Sequence, residues 1–360
     1  MVRVIAFFLP QFHPIPENDA WWNPGFTEWT NVARAKPLFP GHQQPRIPGE
    51  LGFYDLRLPE TRDQQASLAK QYGIYGFCYY HYWFSGKLLL ERPLEDMLKT
   101  GRPDISFCLC WANESWTANW VGQPEKVLIA QTYPGDEDHR AHVQYLSSFF
   151  KDPRYIRIDG RPLFLIHRPL DILKVAEVLT IWRSLAREYI KSDLFIVGVG
   201  NDIKKLLSIG FDGVTTLSLT AALSDYLTGI RRLAQFLRHR LLKFPRWVIS
   251  YRSLIPYLVR KEWSNPRVFP DVLPNWDHTP RLGRRALVII GSRPELFMEV
   301  VKRAVESVKE RPPDYQLIFL RSWNEWAEGN YIEPDLIHGR AFLEALAAGL
   351  RTNNSGSGSI

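Results

Sequence analysis

Cysteine is scarce: three residues in 360, Cys78, Cys108 and Cys110, all inside apolar strand-like runs. They read as reduced core residues, with no disulfide framework. Cys108-Leu-Cys110 has one intervening residue, which fits neither zinc-ligand spacing nor a redox pair. Long hydrophobic runs are missing too. No stretch approaches the roughly 18 apolar residues of a membrane span. Val4 to Leu9 is too short for a secretory signal and is closed by Pro10-Gln-Phe-His-Pro14, without a small-residue cleavage site. The expected location is therefore the cytoplasm. No strand-like run leads into Gly-x-Gly-x-x-Gly; Gly198-Val-Gly-Asn201 lacks the third glycine, so no phosphate-cradling loop is expected.

Acid is absent from one long stretch. Between Asp225 and Glu262 there is none, yet Arg231, Arg232, Arg238, Arg240, Lys243, Arg246, Arg252, Arg260 and Lys261 fall there, interleaved with Leu233, Phe236, Leu237, Leu241, Leu242 and Phe244. A basic amphipathic segment over 231–261 reads as a binder of anionic surfaces, such as an inner membrane leaflet or a lipid-linked phosphate. The plainer alternative is a solvated helical face that happens to be basic. No recognition motif accompanies the charge, so nucleic acid is not an expected partner.

Aromatic residues are abundant, at 13%, against an apolar content of 45%. Eight apolar runs have strand length: Val2–Leu9, Ile74–Tyr80, Ile105–Trp111, Pro162–His167, Leu194–Val199, Gly213–Leu217, Val268–Leu273 and Tyr315–Leu320. Most are continuous rather than alternating, as strands buried on both faces of a parallel sheet should be. Helical patterns lie between them at Leu58–Tyr72, Asp136–Phe150, Asp171–Tyr189, Asp202–Ser208, Pro294–Glu310 and Arg340–Arg351. The alternation predicts an α/β fold, a (β/α)8 TIM barrel, as a single domain over 1–351 with loop insertions at the C-terminal face. An open doubly wound sheet is the competing architecture. The Ser/Gly-rich tail, 352–360, is expected to be disordered.

In a barrel, chemistry collects at the C-terminal ends of strands. Polar and aromatic residues cluster there in this chain. His13, Trp22 and Trp29 follow the first run. Tyr80, His81 and Trp83 follow the second, and Trp111, Asn113, Glu114 and Trp116 the third. The seventh leads to Trp276 and Asp277, the eighth to Trp323, Asn324, Glu325, Trp326 and Glu328. Glu325 and Glu328, three apart and flanking Trp326, suit glycosidic-bond chemistry, in which one carboxyl gives a proton and the other acts as base or nucleophile. The rings supply apolar faces for sugar C–H groups. A bland reading also exists: acids in the first turn of a helix, favoured by its dipole. His13 and His81 could each be a satisfied core histidine. Tyr54 and Asp55 precede the first long helix, where Asp55 reads as a cap or a ligand for a sugar hydroxyl.

The segments Phe8-Leu-Pro-Gln-Phe-His-Pro14, Gly25-Phe-Thr-Glu-Trp-Thr-Asn31, Gly76-Phe-Cys-Tyr-Tyr-His-Tyr-Trp-Phe84, Trp111-Ala-Asn-Glu-Ser-Trp116, Pro274-Asn-Trp-Asp-His-Thr-Pro-Arg281 and Ser322-Trp-Asn-Glu-Trp-Ala-Glu328, with its continuation to Pro334, together resemble the WbsX-like proteins of bacterial polysaccharide gene clusters. These are related to the family 99 endo-mannosidases. The resemblance runs from about residue 2 to 350. It implies a retaining (β/α)8 enzyme with neither metal nor cofactor. By match, Glu325 would act as base on the substrate 2-hydroxyl, and Glu328 as general acid and later base. The chain departs at Ala327, where the endo-mannosidases usually carry His, so their mannose preference is not carried over.

The expected activity is a glycoside hydrolase or transglycosidase acting on a bacterial oligosaccharide or polysaccharide, free or lipid-linked. The alternatives are a glycosyltransferase of lipopolysaccharide synthesis and a non-catalytic glycan-binding protein. Asp136-Glu-Asp138 is the one Asp-x-Asp of the kind that holds a metal–nucleotide, but it opens a helix, where dipole stabilisation explains it.

Overall fold

The computed structural model describes residues 2–118 and 123–351; the predicted tail lies outside the described residues. The ring of a (β/α)8 barrel is formed by β1 (Arg3–Phe8), β2 (Ile74–Phe84), β3 (Ser106–Trp111), β4 (Arg161–Ile166), β5 (Phe195–Val199), β6 (Gly213–Thr215), β7 and β8 (Leu317–Leu320), each parallel to its neighbours. β7 is broken by Pro270. Its first piece, Val268–Phe269, pairs with β6, and its second, Asp271–Val272, pairs with β8, which closes the ring. Pro270 brings no N–H, but its carbonyl accepts the amide of Phe319 at 2.8 Å, so the seam is continuous.

The strands form where the apolar runs predicted them. β1, β3, β4 and β5 are buried almost throughout, as two-sided burial demands. Gly76 lets β2 lie close to β3: a Cβ there would stand 2.4 Å from the Ser106 carbonyl oxygen. Helices Pro59–Gln71, Asp136–Phe150, Val175–Ile190, Ile203–Ile209, Pro294–Val308 and Ala341–Arg351 pack between strands near their expected places. The expected helix start at Asp171 is a short 3-10 turn, Pro169–Asp171, with the α-helix beginning at Val175.

Two parts of the fold differ from expectation. β2 continues to Phe84, so Tyr80 to Trp83 are strand residues rather than loop residues. The basic stretch 231–261 is not one amphipathic segment. It divides into a helix, Gly229–Leu242, a strand, Trp247–Ser250, and a helix, Tyr251–Leu258. That strand pairs in parallel with Leu287–Ile290 in a small sheet outside the barrel. No helix among the described residues is long and apolar enough to cross a membrane.

Candidate active site

β8 ends at Leu320, and the chain then folds into a tight hairpin. Asn324–Glu325 pairs antiparallel with Asn330–Tyr331 around a 3-10 turn, Trp326–Glu328. Gly329 closes the turn at φ 58°, in the left-handed region. Asn324 fastens the hairpin to the end of β1: its Oδ1 accepts the Leu9 amide at 2.7 Å and its Nδ2 donates to the Leu9 carbonyl at 3.1 Å. Behind the hairpin, Trp326 stacks on Tyr331 with centroids 3.7 Å apart and donates its indole N–H to Glu333 at 2.6 Å. Tyr54 Oη and Gln65 Nε2 donate to the same carboxyl at 2.9 and 2.7 Å. Burial pushes Glu333 up to about 7 despite these donors.

A second tie holds the turn from the β7 side. The amide of Asp277 donates to the Glu328 carbonyl at 2.6 Å. A Cβ on Gly329 would stand 2.7 Å from Asp277 Cβ and N, so only glycine fits. The Asp277 side chain is fully buried and accepts from His42 Nε2 at 2.8 Å, Gln44 Nε2 at 2.7 Å and Thr279 Oγ1 at 2.6 Å. Burial opposes its charge, but these donors and Arg46 keep it ionised.

Glu325 and Glu328 thus face a cavity of about 730 Å³ at the C-terminal end of the barrel. Arg281 links them to a third acid. Its Nη1 donates to Glu328 and lies 4.0 Å from Glu325, while Nε and Nη2 reach Glu28 at 2.9 and 2.6 Å. His278 Nε2 stands 3.4 Å from Glu328. The two catalytic candidates are within hydrogen-bonding reach of each other and titrate apart. Burial, and then the charge of Glu328, push Glu325 well above the ordinary carboxyl range. Burial opposes ionisation of Glu328 as well, but Arg281 and His278 outweigh it and hold Glu328 below that range. Glu28, wholly buried at the start of helix Glu28–Arg34, is pushed up by burial against the pull of Arg281.

The structure brings part of the predicted set to the cavity. Trp22, Tyr80, Glu114, Trp116 and Trp276 line it with the two glutamates. Glu114 pairs with Arg168 at 3.1 Å. The rest stand elsewhere. Alternation along β2 turns Tyr80 inward and His81 and Trp83 outward. His81 Nε2 meets His142 Nε2 at 2.8 Å, and Trp83 stacks on the same imidazole at 4.6 Å. Trp111 stacks on Trp182 in that outer layer. Asn113 bridges two loops by bonding the backbone of Arg168. His13 is buried beside Asp55 and Arg57 and is pushed down to about 4 by burial. Asp55 caps no helix; it is in a salt bridge with Arg57 at 2.6 Å. Tyr54, Trp323, Asn324 and Trp326 are core behind the hairpin, and Asp277 is the buried anchor described above. Trp323 and Trp326 were expected as walls of the site; they are fully buried because the hairpin folds them away from the cavity.

Arg281, His278, Glu28 and Tyr82 were not singled out from sequence. Two signals were present: Pro274 to Arg281 carries His278 and Arg281, and period-two alternation from Tyr80 reaches Tyr82.

A family model described as "Glycosyltransferase WbsX" matches residues 4–346, and the chain belongs to that family. The uncharacterized protein WxcX of Xanthomonas campestris pv. campestris is 37% identical over 344 residues, 95% of this chain, in both strain ATCC 33913 and strain B100. The chain spans about half the length of these curated relatives, 48%. Among solved structures, the GH99 endo-alpha-mannosidase of Bacteroides thetaiotaomicron aligns at TM-score 0.59 and 16% identity, over 97% of this chain and 96% of that one. A protein described as glycoside hydrolase-like aligns at TM-score 0.61 and 15% identity, over 97% and 94%. At such identities the likeness speaks for the barrel alone.

Proposed function

We propose that this WbsX-family chain is a carbohydrate-active enzyme that breaks or exchanges a glycosidic bond with Glu325 and Glu328, on a glycan of the bacterial surface-polysaccharide or lipopolysaccharide type. One observation carries the reading: Glu325 and Glu328 line one cavity at the end of β8, with Arg281 beside both, and their titrations are pushed in opposite directions. Glycosidic cleavage needs one carboxyl that gives a proton and one that takes it. Trp22, Tyr80, Trp116 and Trp276 offer ring faces for a sugar in a cavity of ordinary ligand-site size.

The reaction begins when a sugar enters between the two carboxyls. The roles implied by family resemblance put the charge on Glu325 as base and the proton on Glu328 as acid. Arg281 bonds Glu328 and stands 4.0 Å from Glu325, so one guanidinium serves whichever of the two carries the charge.

A nucleotide-dependent transferase is the second reading, favoured by the description of the family model. Asp136 to Asp138 lie in the first turn of helix Asp136–Phe150, and Asp138 accepts the Trp83 indole N–H at 3.0 Å. Neither aspartate lines the cavity. The test is incubation with bacterial surface oligosaccharides, free and lipid-linked, with and without nucleotide sugars, for wild type, Glu325→Gln and Glu328→Gln. Cleavage or exchange without nucleotide, lost in both variants, is the expected result. Aryl glycosides with good leaving groups then assign the roles, because only the variant lacking the acid keeps its first step on them. Nucleotide release indifferent to both glutamates would overturn the site.

A further inference from the structure

No residue of the helix Gly229–Leu242 is buried, although six of its fourteen residues are Ile, Leu or Phe. Ile230, Leu233, Leu237 and Leu241 are exposed at 81%, 55%, 43% and 70%. With 3.6 residues per turn, these four fall within about 80° of one another. Gln235 and His239 fall on the opposite side; Gln235, together with Arg231, which donates to Tyr257 Oη at 3.1 Å, ties the helix to the protein. Gln235 bonds both the amide and the carbonyl of Val248, at 3.1 and 2.8 Å, and His239 Nδ1 meets the Phe244 carbonyl at 2.8 Å. The helix is thus turned inside out relative to an ordinary surface helix, with polar anchors inward and an apolar stripe outward.

The flanks of the stripe are cationic. None of Arg231, Arg232, Arg238, Arg240 and Lys243 makes a salt bridge among the described residues. Arg231 and Arg238 instead lie over the rings of Tyr226 and Phe244. An outward apolar stripe between arginines without acidic partners is the pattern of a helix that lies in a membrane interface.

We propose that Gly229–Leu242 docks this chain on an anionic lipid surface, lying parallel to it with Ile230, Leu233, Leu237 and Leu241 in the acyl boundary and the arginines among the headgroups. The docking orients the cavity. Only Leu227 and Thr228 separate the helix from Ser218–Tyr226, whose Leu219, Thr220 and Leu223 line the cavity wall. The inference stands on the helix alone and does not depend on the glycosidic reading.

Vesicle co-sedimentation tests it, with phosphatidylglycerol–phosphatidylcholine vesicles against pure phosphatidylcholine, at low and high salt. The wild type is expected to favour the anionic vesicles and to weaken with salt. Each cation near such a surface contributes about fivefold in partitioning, so Arg232→Gln, Arg238→Gln and Arg240→Gln together should lower it about a hundredfold. Ile230→Ser, Leu237→Ser and Leu241→Ser together should abolish it. Apart from Arg238, half-buried over the Phe244 ring, these side chains are exposed, so both variants should melt close to the wild type. Equal partitioning of the variants and the wild type would overturn the proposal. So would absent vesicle binding in a protein that light scattering shows to be a dimer and the serine variant returns to monomer, since the stripe would then be covered by a second copy.

Discussion

Arg281→Met is the sharpest perturbation of the candidate site, because it removes one charge on which three carboxylates depend. Arg281 is almost buried, at 9% side-chain exposure, and Glu28, whose Oε1 takes both its Nε and Nη2 bonds, is wholly so. Breaking a buried pair by deleting one partner typically costs about 3–5 kcal/mol. With an unfolding entropy of about 2.1 cal/mol/K per residue, the 360-residue chain melts with about 0.8 kcal/mol/K, so the expected loss is about 4–7 °C. The loss has a pH signature. The folded pKa of Glu328 lies below the ordinary glutamate value of 4.5, so its pairing stabilises the fold above that pH and fades as pH falls toward the folded value. Without Arg281 that contribution disappears, and burial alone raises Glu28 and Glu328. The deficit is therefore full near neutrality and narrows as pH falls through the raised range of the unpaired carboxyls and on through 4.5. Thermal denaturation of both proteins from pH 4 to pH 8 measures it. A shift under about 1 °C at neutral pH, or one that is the same at both ends, would refute the electrostatic account of the site.

Gly329→Ala places a Cβ 2.7 Å from Asp277 at a backbone φ of 58°, and should cost at least about 1–2 kcal/mol while moving Glu328 enough to lower turnover tenfold or more; unchanged kcat and melting temperature would count against the Asp277 tie. Glu333 titrates about 7 when folded against 4.5 in its unfolded reference, so it withdraws stability as pH rises through that window, by about 3 kcal/mol in all. Glu333→Gln should flatten the stability profile between those two pH values; a profile parallel to the wild type would show that Glu333 is not the titrating group.

The barrel was legible because its strands are buried on both faces, so Val4, Phe107 or Leu165 needed no alternation to be recognised. The glutamate pair was legible for a similar reason: chemistry concentrates at strand ends, and the richest such segment follows β8. What could not be read was direction. His81 and Trp83 differ from Tyr80 and Tyr82 only by parity, and parity has meaning only once β2 is known to run to Phe84. Trp323 and Trp326 have the composition of a sugar platform, but the hairpin's antiparallel closure turns them into the core. Arg281 was hidden because its three acids come from Glu28, Glu325 and Glu328, distant in sequence and joined only by the closed ring. In the basic stretch, charge was visible, whereas the outward stripe depended on Gln235 and His239 finding backbone partners in Val248 and Phe244.

The division of β7 at Pro270 makes the ring uneven. β2 and β3 are registered over six residue pairs, whereas each half of β7 holds its neighbour over two. The free energy of local opening follows the number of backbone bonds and apolar contacts released, so this sector is where the cylinder breathes first. Asp271 lies in the second half and grips Thr216 and Ser218 at the head of the helix whose leucines line the cavity. Compliance at the seam therefore passes to one wall of the pocket while β1, β2 and β3 keep the opposite wall stiff. One wall of the cavity thus hangs on a two-pair seam and the other on a six-pair sheet.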